Sequence, residues 1–223
     1  MGVGIAVGAA VVVLHAVVGP FLMPALRARS APFVYVCTAP DAMSPSIHRS
    51  LTLALARSCS PAGLKLQTKV IDACRQYSSL AKTPGTAALE QRTHRLIDLG
   101  SGNGCLVVAA AQALPVRGVG VELNPWLVWW SRWQAFRAGV SKYCSFQVRD
   151  LWSTDLSQYD TIVVCGVPDM MPPLADKLRH EMKPDAILIA GRFKMESWTP
   201  THTLLDSSSD AVDGVWVYHK PPT

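Results

Sequence analysis

With 223 residues, 49% of them hydrophobic, the chain has room for one ordinary domain plus an appendage and enough apolar side chains to bury a core, which excludes disorder throughout. Its net charge of +5 is uneven: residues 1–92 hold nine Lys/Arg against three Asp/Glu, residues 93–223 twelve against thirteen. The near-neutral C-terminal part offers no cation cluster for a phosphate track, so no nucleic-acid partner is expected, while the basic front suits a segment beside a membrane.

Between residues 2 and 26 there is no Asp, Glu, Lys or Arg, and His15 is the one ionisable side chain. At the rise of an α-helix, about 20 such residues cross the hydrocarbon core. Arg27 and Arg29 follow at once and nothing basic precedes. A cleavable secretory signal would have a positive start and a shorter apolar core. Residues 1–29 are therefore expected to form one N-terminal transmembrane helix, with Arg27, Arg29 and all that follows on the cytoplasmic or matrix side. Pro20 and Pro24 are expected to kink or end it. His15 is read as helix-facing or snorkelling, since one imidazole makes no proton relay.

Residues 30–92 read as a linker and N-terminal helical extension. Short amphipathic helices are predicted over 46–58 and 65–80, separated by a break at Ser60, Pro61, Ala62 and Gly63, with a linker over 82–86. No chemistry is placed there. The six cysteines, at 37, 59, 74, 105, 144 and 165, include no Cys-x-x-Cys pair and have no histidine at ligand spacing. Neither a metal nor a disulfide framework is expected, and the thiols read as small apolar residues in a reducing compartment.

Residues 93–223 carry the informative pattern. The run Leu-Ile-Asp-Leu-Gly-Ser-Gly-Asn-Gly (96–104) reads as an apolar strand ending in a glycine turn that opens a helix over 106–114. Gly100, Gly102 and Gly104 allow a sharp turn and close backbone approach to a ligand. Dinucleotide-binding folds use related turns, so the glycines alone do not decide between cofactors. Asp98, just before them, can hold an amino group. The next strand, over 118–121, ends in Glu122, placed to accept from two ribose hydroxyls and followed by Leu123 and Asn124. A third, over 145–149, ends in Asp150, Leu151 and Trp152, where a carboxylate can accept from an adenine amine while apolar neighbours flank the ring. Carboxylates at three successive strand ends around this turn point to S-adenosylmethionine and a methyltransferase. Asp98, Gly100, Ser101, Gly102, Gly104, Glu122, Leu123, Asn124, Asp150, Leu151 and Trp152 are the candidate cofactor-binding residues.

A helix over 125–137 should open at Asn124 as N-cap with Pro125 in the first turn. Its Trp126, Trp129, Trp130 and Trp133 share a face, read as core packing or membrane-side contact rather than an aromatic cage. Strands over 159–165, 186–190, 201–205 and 215–219 and a helix over 173–182 complete an alternation that implies an α/β fold with a mostly parallel, doubly wound, Rossmann-like sheet of the seven-strand methyltransferase type. After the fourth strand, residues 166–171 should line the acceptor channel, with Asp169 and nearby carbonyls orienting an amine. Pro168, Arg192, Phe193 and Trp198 are the candidate channel residues. An Asn-Pro-Pro-aromatic motif, which would grip a planar base amine, is absent there.

Several strings add a resemblance: Glu-Leu-Asn-Pro-Trp-Leu-Val (122–128), Asp-Leu-Trp (150–152), Gly-Val-Pro-Asp-Met-Met (166–171), Gly-Arg-Phe (191–193), Trp-Thr-Pro (198–200) and Val-Trp-Val-Tyr (215–218), with Gly-Pro-Phe-Leu-Met-Pro-Ala-Leu-Arg (19–27) and Pro-Phe-Val (32–34) in front. Together they resemble the membrane-anchored mitochondrial protein-lysine methyltransferases that modify the c subunit of ATP synthase or the adenine nucleotide translocase, and more closely the c-subunit group. The likeness lapses over 37–92. It also departs in the glycine turn, where the family usually has an acid at the place of Asn103 and a base at that of Cys105, and often an amide at that of Asp169. The resemblance implies a single-pass protein of the mitochondrial inner membrane with its catalytic domain facing the matrix. Two other readings stay open: a membrane enzyme for a lipid or quinone, and a cofactor-binding scaffold without turnover, the latter suggested by Asn103 and Cys105.

Overall fold

The computed structural model describes residues 61–78, 93–205 and 214–220. The transmembrane helix expected over 1–29, the helix over 46–58 and the linker over 82–86 lie outside them. Among the described residues no helix is long and apolar enough to cross a membrane.

In chain order the elements are α1 (Pro61–Tyr77), β1 (His94–Leu99), α2 (Cys105–Ala113), β2 (Val116–Glu122), α3 (Pro125–Arg137), β3 (Cys144–Val148), β4 (Thr161–Val164), α4 (Met171–Glu181), β5 (Ile187–Gly191), β6 (His202–Leu204) and β7 (Val215–His219). The described strands form one seven-stranded sheet in the order β3-β2-β1-β4-β5-β7-β6. β1 to β5 are mutually parallel, and β7 runs antiparallel to both β5 and β6. The chain order reverses direction beside β1, so β1, β2 and β4 end around a crevice, the place where open α/β sheets bind ligands.

Burial on both sides explains the near-continuous apolar runs of the central strands. Alternation sends Ile97 and Leu99 of β1 to one face and Leu96 to the other. The first face is covered by α4, whose Met171, Leu174, Ala175 and Leu178 recur at helical spacing. The second is covered by α2, α3 and α1. Leu66, Val70, Ala73 and Cys74 of α1 form such a stripe and pack on Val163, Ile187, Ile189, Val215 and Val217.

Two expectations change. The break predicted at residues 60–63 is a helix start: Pro61 takes the first helical position, where its missing N–H would have had no intrahelical partner. The core-packing reading of the tryptophan helix is overturned. The inward face of α3 is Val128, Ser131 and Ala135, and the indoles point the other way, with Trp126 and Trp129 at 53% and 60% exposure. Its predicted start holds: Asn124 Oδ1 accepts from Trp126 N at 3.0 Å ahead of Pro125.

Candidate functional site

The glycine turn is fixed from below. Gly100 N and Ser101 N both donate to Val121 O, at 3.0 and 2.9 Å, tying the turn to the end of β2. Gly100, Gly102 and Gly104 have φ of 75°, 53° and 76°, a conformation that costs L side chains energy. A Cβ on Gly100 or Gly102 would meet nothing within 4 Å, whereas one on Gly104 would lie 2.5 Å from Ser131 and 2.7 Å from Phe146. Thus Gly104 is needed for packing, and the other two border the open crevice.

Three carboxylates stand at the ends of adjacent strands. Glu122, buried, accepts from Gly102 N at 3.1 Å on Oε2 and from Asn124 N at 2.9 Å on Oε1. These bonds clamp the carboxylate under the turn, and each oxygen keeps a second acceptor site. Asp98, near the end of β1, is buried beside it; burial, and next the Glu122 carboxylate, push its carboxyl up to about 7. Asp150 lies two residues beyond β3, exposed, and its Oδ1 caps a short 3-10 turn (Leu151–Ser153) by accepting from Trp152 N at 3.0 Å. Leu123 and Trp152 are apolar yet 55% and 41% exposed at the same sheet edge, while Leu151 is buried.

The buried Ser101 Oγ and Asn124 Nδ2 have no hydrogen-bond partner. Buried polar atoms are seldom left so; Asn124 stands beside Glu122 at the crevice, whereas Ser101 Oγ lies over Gly120 in the space beside Phe146, beneath the turn. A ligand with polar groups for Asn124 and the acids and a flat ring for Leu123 and Trp152 fits this set. S-adenosylmethionine is such a ligand: its ammonium, ribose hydroxyls and adenine match an acid each.

Sequence reading missed the braces of the turn. Gln134 Nε2 of α3 donates to Asn103 O at 2.6 Å, Ser131 Oγ donates to Leu127 O at 2.7 Å and lies 3.4 Å from Gly102 O, and Gln67 Nε2 of α1 donates to Cys105 O at 2.8 Å. Polar residues on the inner face of an otherwise apolar helix were the available signal, and Ser131, fully buried, was the clearest.

The acceptor side lies next door. Pro168 and Asp169, both exposed, follow β4, and Arg192 and Phe193 follow the adjacent β5 at the same sheet end. Arg192 holds a φ of 69°, rare for a residue with a side chain, and its buried Nε has no partner. Trp198 does not join them. It packs edge-on against Tyr218, whose strand partner Leu188 is near the start of β5, and under Arg179 in the last turn of α4. That places Trp198 in the core toward the opposite end of the strands, so it does not line the channel.

Known proteins share this fold and sequence pattern. A family model described as "ANTKMT methyltransferase domain" matches residues 98–202. The sequence is 37% identical over 212 residues to the ATP synthase c-subunit lysine N-methyltransferase of Rattus norvegicus, covering 95% of this chain and 77% of that protein. It is 34% identical over 156 residues to the adenine nucleotide translocase lysine N-methyltransferase of Mus musculus, covering 70% and 64%. Among solved structures, an RNA methyltransferase from Salinibacter ruber in complex with S-adenosyl-L-homocysteine superposes with a TM-score of 0.55 at 28% identity, covering 63% of this chain and 95% of that one.

Proposed function

The chain belongs to the ATP synthase c-subunit lysine N-methyltransferase family and is an S-adenosylmethionine-dependent protein-lysine methyltransferase, and from that premise we propose that it methylates a lysine ε-amine of the ATP synthase c subunit at the matrix face of the mitochondrial inner membrane. The observation that carries the choice of substrate is the extent of the likeness. The alignment with the c-subunit enzyme covers 95% of the chain, so it runs through the front and into residues 37–92, where the likeness was expected to lapse, and that with the translocase enzyme covers 70%. Residues 1–29 serve as the membrane anchor in this proposal, which confines enzyme and substrate to one surface and raises their effective concentration.

When bound, S-adenosylmethionine supplies an electrophilic methyl group on a sulfonium. Asp98, ionised, holds the methionyl ammonium; Glu122 accepts from the ribose hydroxyls; Asp150 accepts from the adenine amine. Leu123, Leu151 and Trp152 flank the ring, and Gly100, Ser101, Gly102, Gly104 and Asn124 form the seat. For the acceptor, the chain needs to deliver a neutral amine in line and to limit water. Pro168, Arg192 and Phe193 form the channel wall, where desolvation lowers the pKa of an entering lysine and favours its loss of a proton to water. Asp169 and the carbonyls of residues 166–169 orient the amine, so Asp169→Ala is expected to lower kcat more than cofactor affinity.

The test is to give the full chain labelled cofactor and mitochondrial membranes from cells that lack it. Label is expected as methyllysine in the c subunit. Label in the translocase, in an extractable lipid or quinone, or only in soluble RNA would overturn the proposal.

A further inference from the structure

α3 carries an outward aromatic stripe that neither cofactor seat nor acceptor channel uses. Trp126, Trp129, Trp130 and Trp133 recur at intervals of three and four residues opposite the buried Val128, Ser131 and Ala135. Phe136 extends the stripe at 73% exposure, and Trp130 and Trp133, both half-buried, pack against each other at a tilt with centroids 4.7 Å apart. One helix with so much aromatic surface turned outward is unusual for a domain whose core is otherwise closed. A row of indoles on one convex helix cannot enclose a methylated amine, which removes the cage reading.

The charges around the stripe identify its partner. α3 contains no Asp or Glu. Arg137 lies over the Trp133 ring at 4.9 Å, Lys142 follows the helix, exposed and over the Tyr143 ring at 4.8 Å, and Arg132, also exposed, donates from Nε and Nη2 to Phe146 O at 3.2 and 2.7 Å. Among the described residues none of the three makes a salt bridge with a carboxylate. Indoles with basic side chains between them match the headgroup layer of an anionic bilayer, where Trp buries its ring and keeps its N–H wet while Arg and Lys meet phosphate.

We propose that the outward face of α3 is a membrane-docking surface that lies in the headgroup layer of an anionic bilayer, with Trp126, Trp129, Trp130, Trp133 and Phe136 inserted and Arg137 and Lys142 on lipid phosphates. α3 starts two residues after the Glu122–Leu123 end of β2, so Trp126 stands at the rim of the cofactor crevice. Docking by this face therefore sets the crevice and the channel beside it at the bilayer surface, within reach of a lysine that emerges from the membrane. An N-terminal anchor alone would tether the domain without orienting it, because some thirty residues separate residue 29 from α1. The proposal concerns lipid contact and stands whichever membrane protein is the substrate.

Intrinsic fluorescence of the full chain in vesicles tests it, since four of the seven tryptophans lie on the stripe. Vesicles of phosphatidylcholine with phosphatidylserine, both brominated, are expected to quench about half of the emission, and iodide to reach those rings only when the lipid is all zwitterionic. Trp129→Ser with Trp133→Ser should remove most of that quenching at unchanged cofactor affinity, which also reports correct folding. Arg137→Gln with Lys142→Gln should abolish the preference for phosphatidylserine. Emission that brominated lipid leaves unchanged, or stripe tryptophans shielded from iodide in detergent without vesicles, would overturn the proposal, the second outcome meaning that another segment of the chain covers the face. Docking without methyl transfer to the c subunit would refute only the substrate assignment.

Discussion

With the buried Asp98 in its proposed role as partner of the cofactor's ammonium, cofactor binding is a proton-linked event. Its carboxyl is pushed up to about 7, by burial and then by Glu122, so near neutrality the free protein is a mixture of protonated and ionised forms. Only the ionised form pairs with an ammonium, and the sign follows: affinity rises with pH, because raising the pH creates the binding-competent carboxylate. With the midpoint at about 7, the ionised fraction grows about eightfold between pH 6 and pH 7.5, and affinity should grow in proportion. The amino group of the cofactor, with an ordinary pKa just under 8, loses part of its charge toward pH 7.5 and trims that gain to about five- or sixfold. Calorimetry with S-adenosylhomocysteine in buffers of different ionisation enthalpy reads both quantities, and about half a proton should be released per binding event near pH 7. Asp98→Asn should flatten the profile and weaken binding at pH 7.5 by about 1.5–3 kcal/mol, with the difference shrinking as the pH falls. A flat profile for the unmodified chain, or an undiminished slope in Asp98→Asn, would show that another group titrates and would refute the reasoning.

The same carboxyl bears on stability, with the opposite outcome. Its folded value lies above the ordinary 3.8, so the folded state binds more protons and stability is lost as pH rises from about 4 to about 7; Asp98→Asn should raise the melting temperature of the cofactor-free protein at pH 8, against a ceiling of about 4 kcal/mol, and leave it unchanged below pH 4. Glu122→Gln, which removes the second cause of the shift, should move the binding midpoint to lower pH by calorimetry even as it weakens binding. Gly104→Ala, with a Cβ 2.5 Å from Ser131 at positive φ, should lower unfolding free energy in urea by about 2 kcal/mol or more. Gly102→Ala has open space and should cost about 1 kcal/mol while its methyl group impedes the cofactor. Gln134→Ala frees Asn103 O and should weaken cofactor binding several-fold in the same titration with little change in melting temperature.

Much of this architecture was legible because the strands are buried on both faces and the helices on one, so period and length separated them. The residues of α3 and β7 were read to the correct ends, since Asn124, Pro125 and the Gly214 boundary leave no competing start. At α1 a proline before a glycine looked like a break, yet packing against β5 and β7 stabilises a helix that begins at the proline. The acids were found from their position after apolar runs, but whether each was buried was not: Asp98 and Glu122 are enclosed, and Asp150 is exposed and partly used as a cap. Trp198 was misplaced because a sequence shows that a residue follows β5 without showing that the chain turns back toward the other end of the sheet. The tryptophans of α3 shared a face as expected; which way that face points was decided by Val128, Ser131 and Ala135, small or slim residues that fit closely over α2 and β3.

The departures in the glycine turn take on a definite meaning once its contacts are known. Asn103 and Cys105 stand where the family resemblance implies an acid and a base, and the absence of both charges suggested a weakened seat. In this chain the turn is held by neutral bonds instead. Asn103 Oδ1 accepts from Cys105 N at 3.3 Å, Asn103 O takes the Gln134 amide, and Cys105 O takes that of Gln67, so α3 and α1 each fix one side of the turn. Neutral bonds of this kind are insensitive to salt and keep the backbone N–H of Gly102 on Glu122, the proposed ribose acceptor. What the missing base does change is the field at Asp98, whose shift comes from burial and neighbouring acids with no cation among the described residues to favour its ionised form. The turn thus keeps its shape at positions 103 and 105, while in the proposed complex the acid behind it depends on the cofactor's own ammonium for its charge.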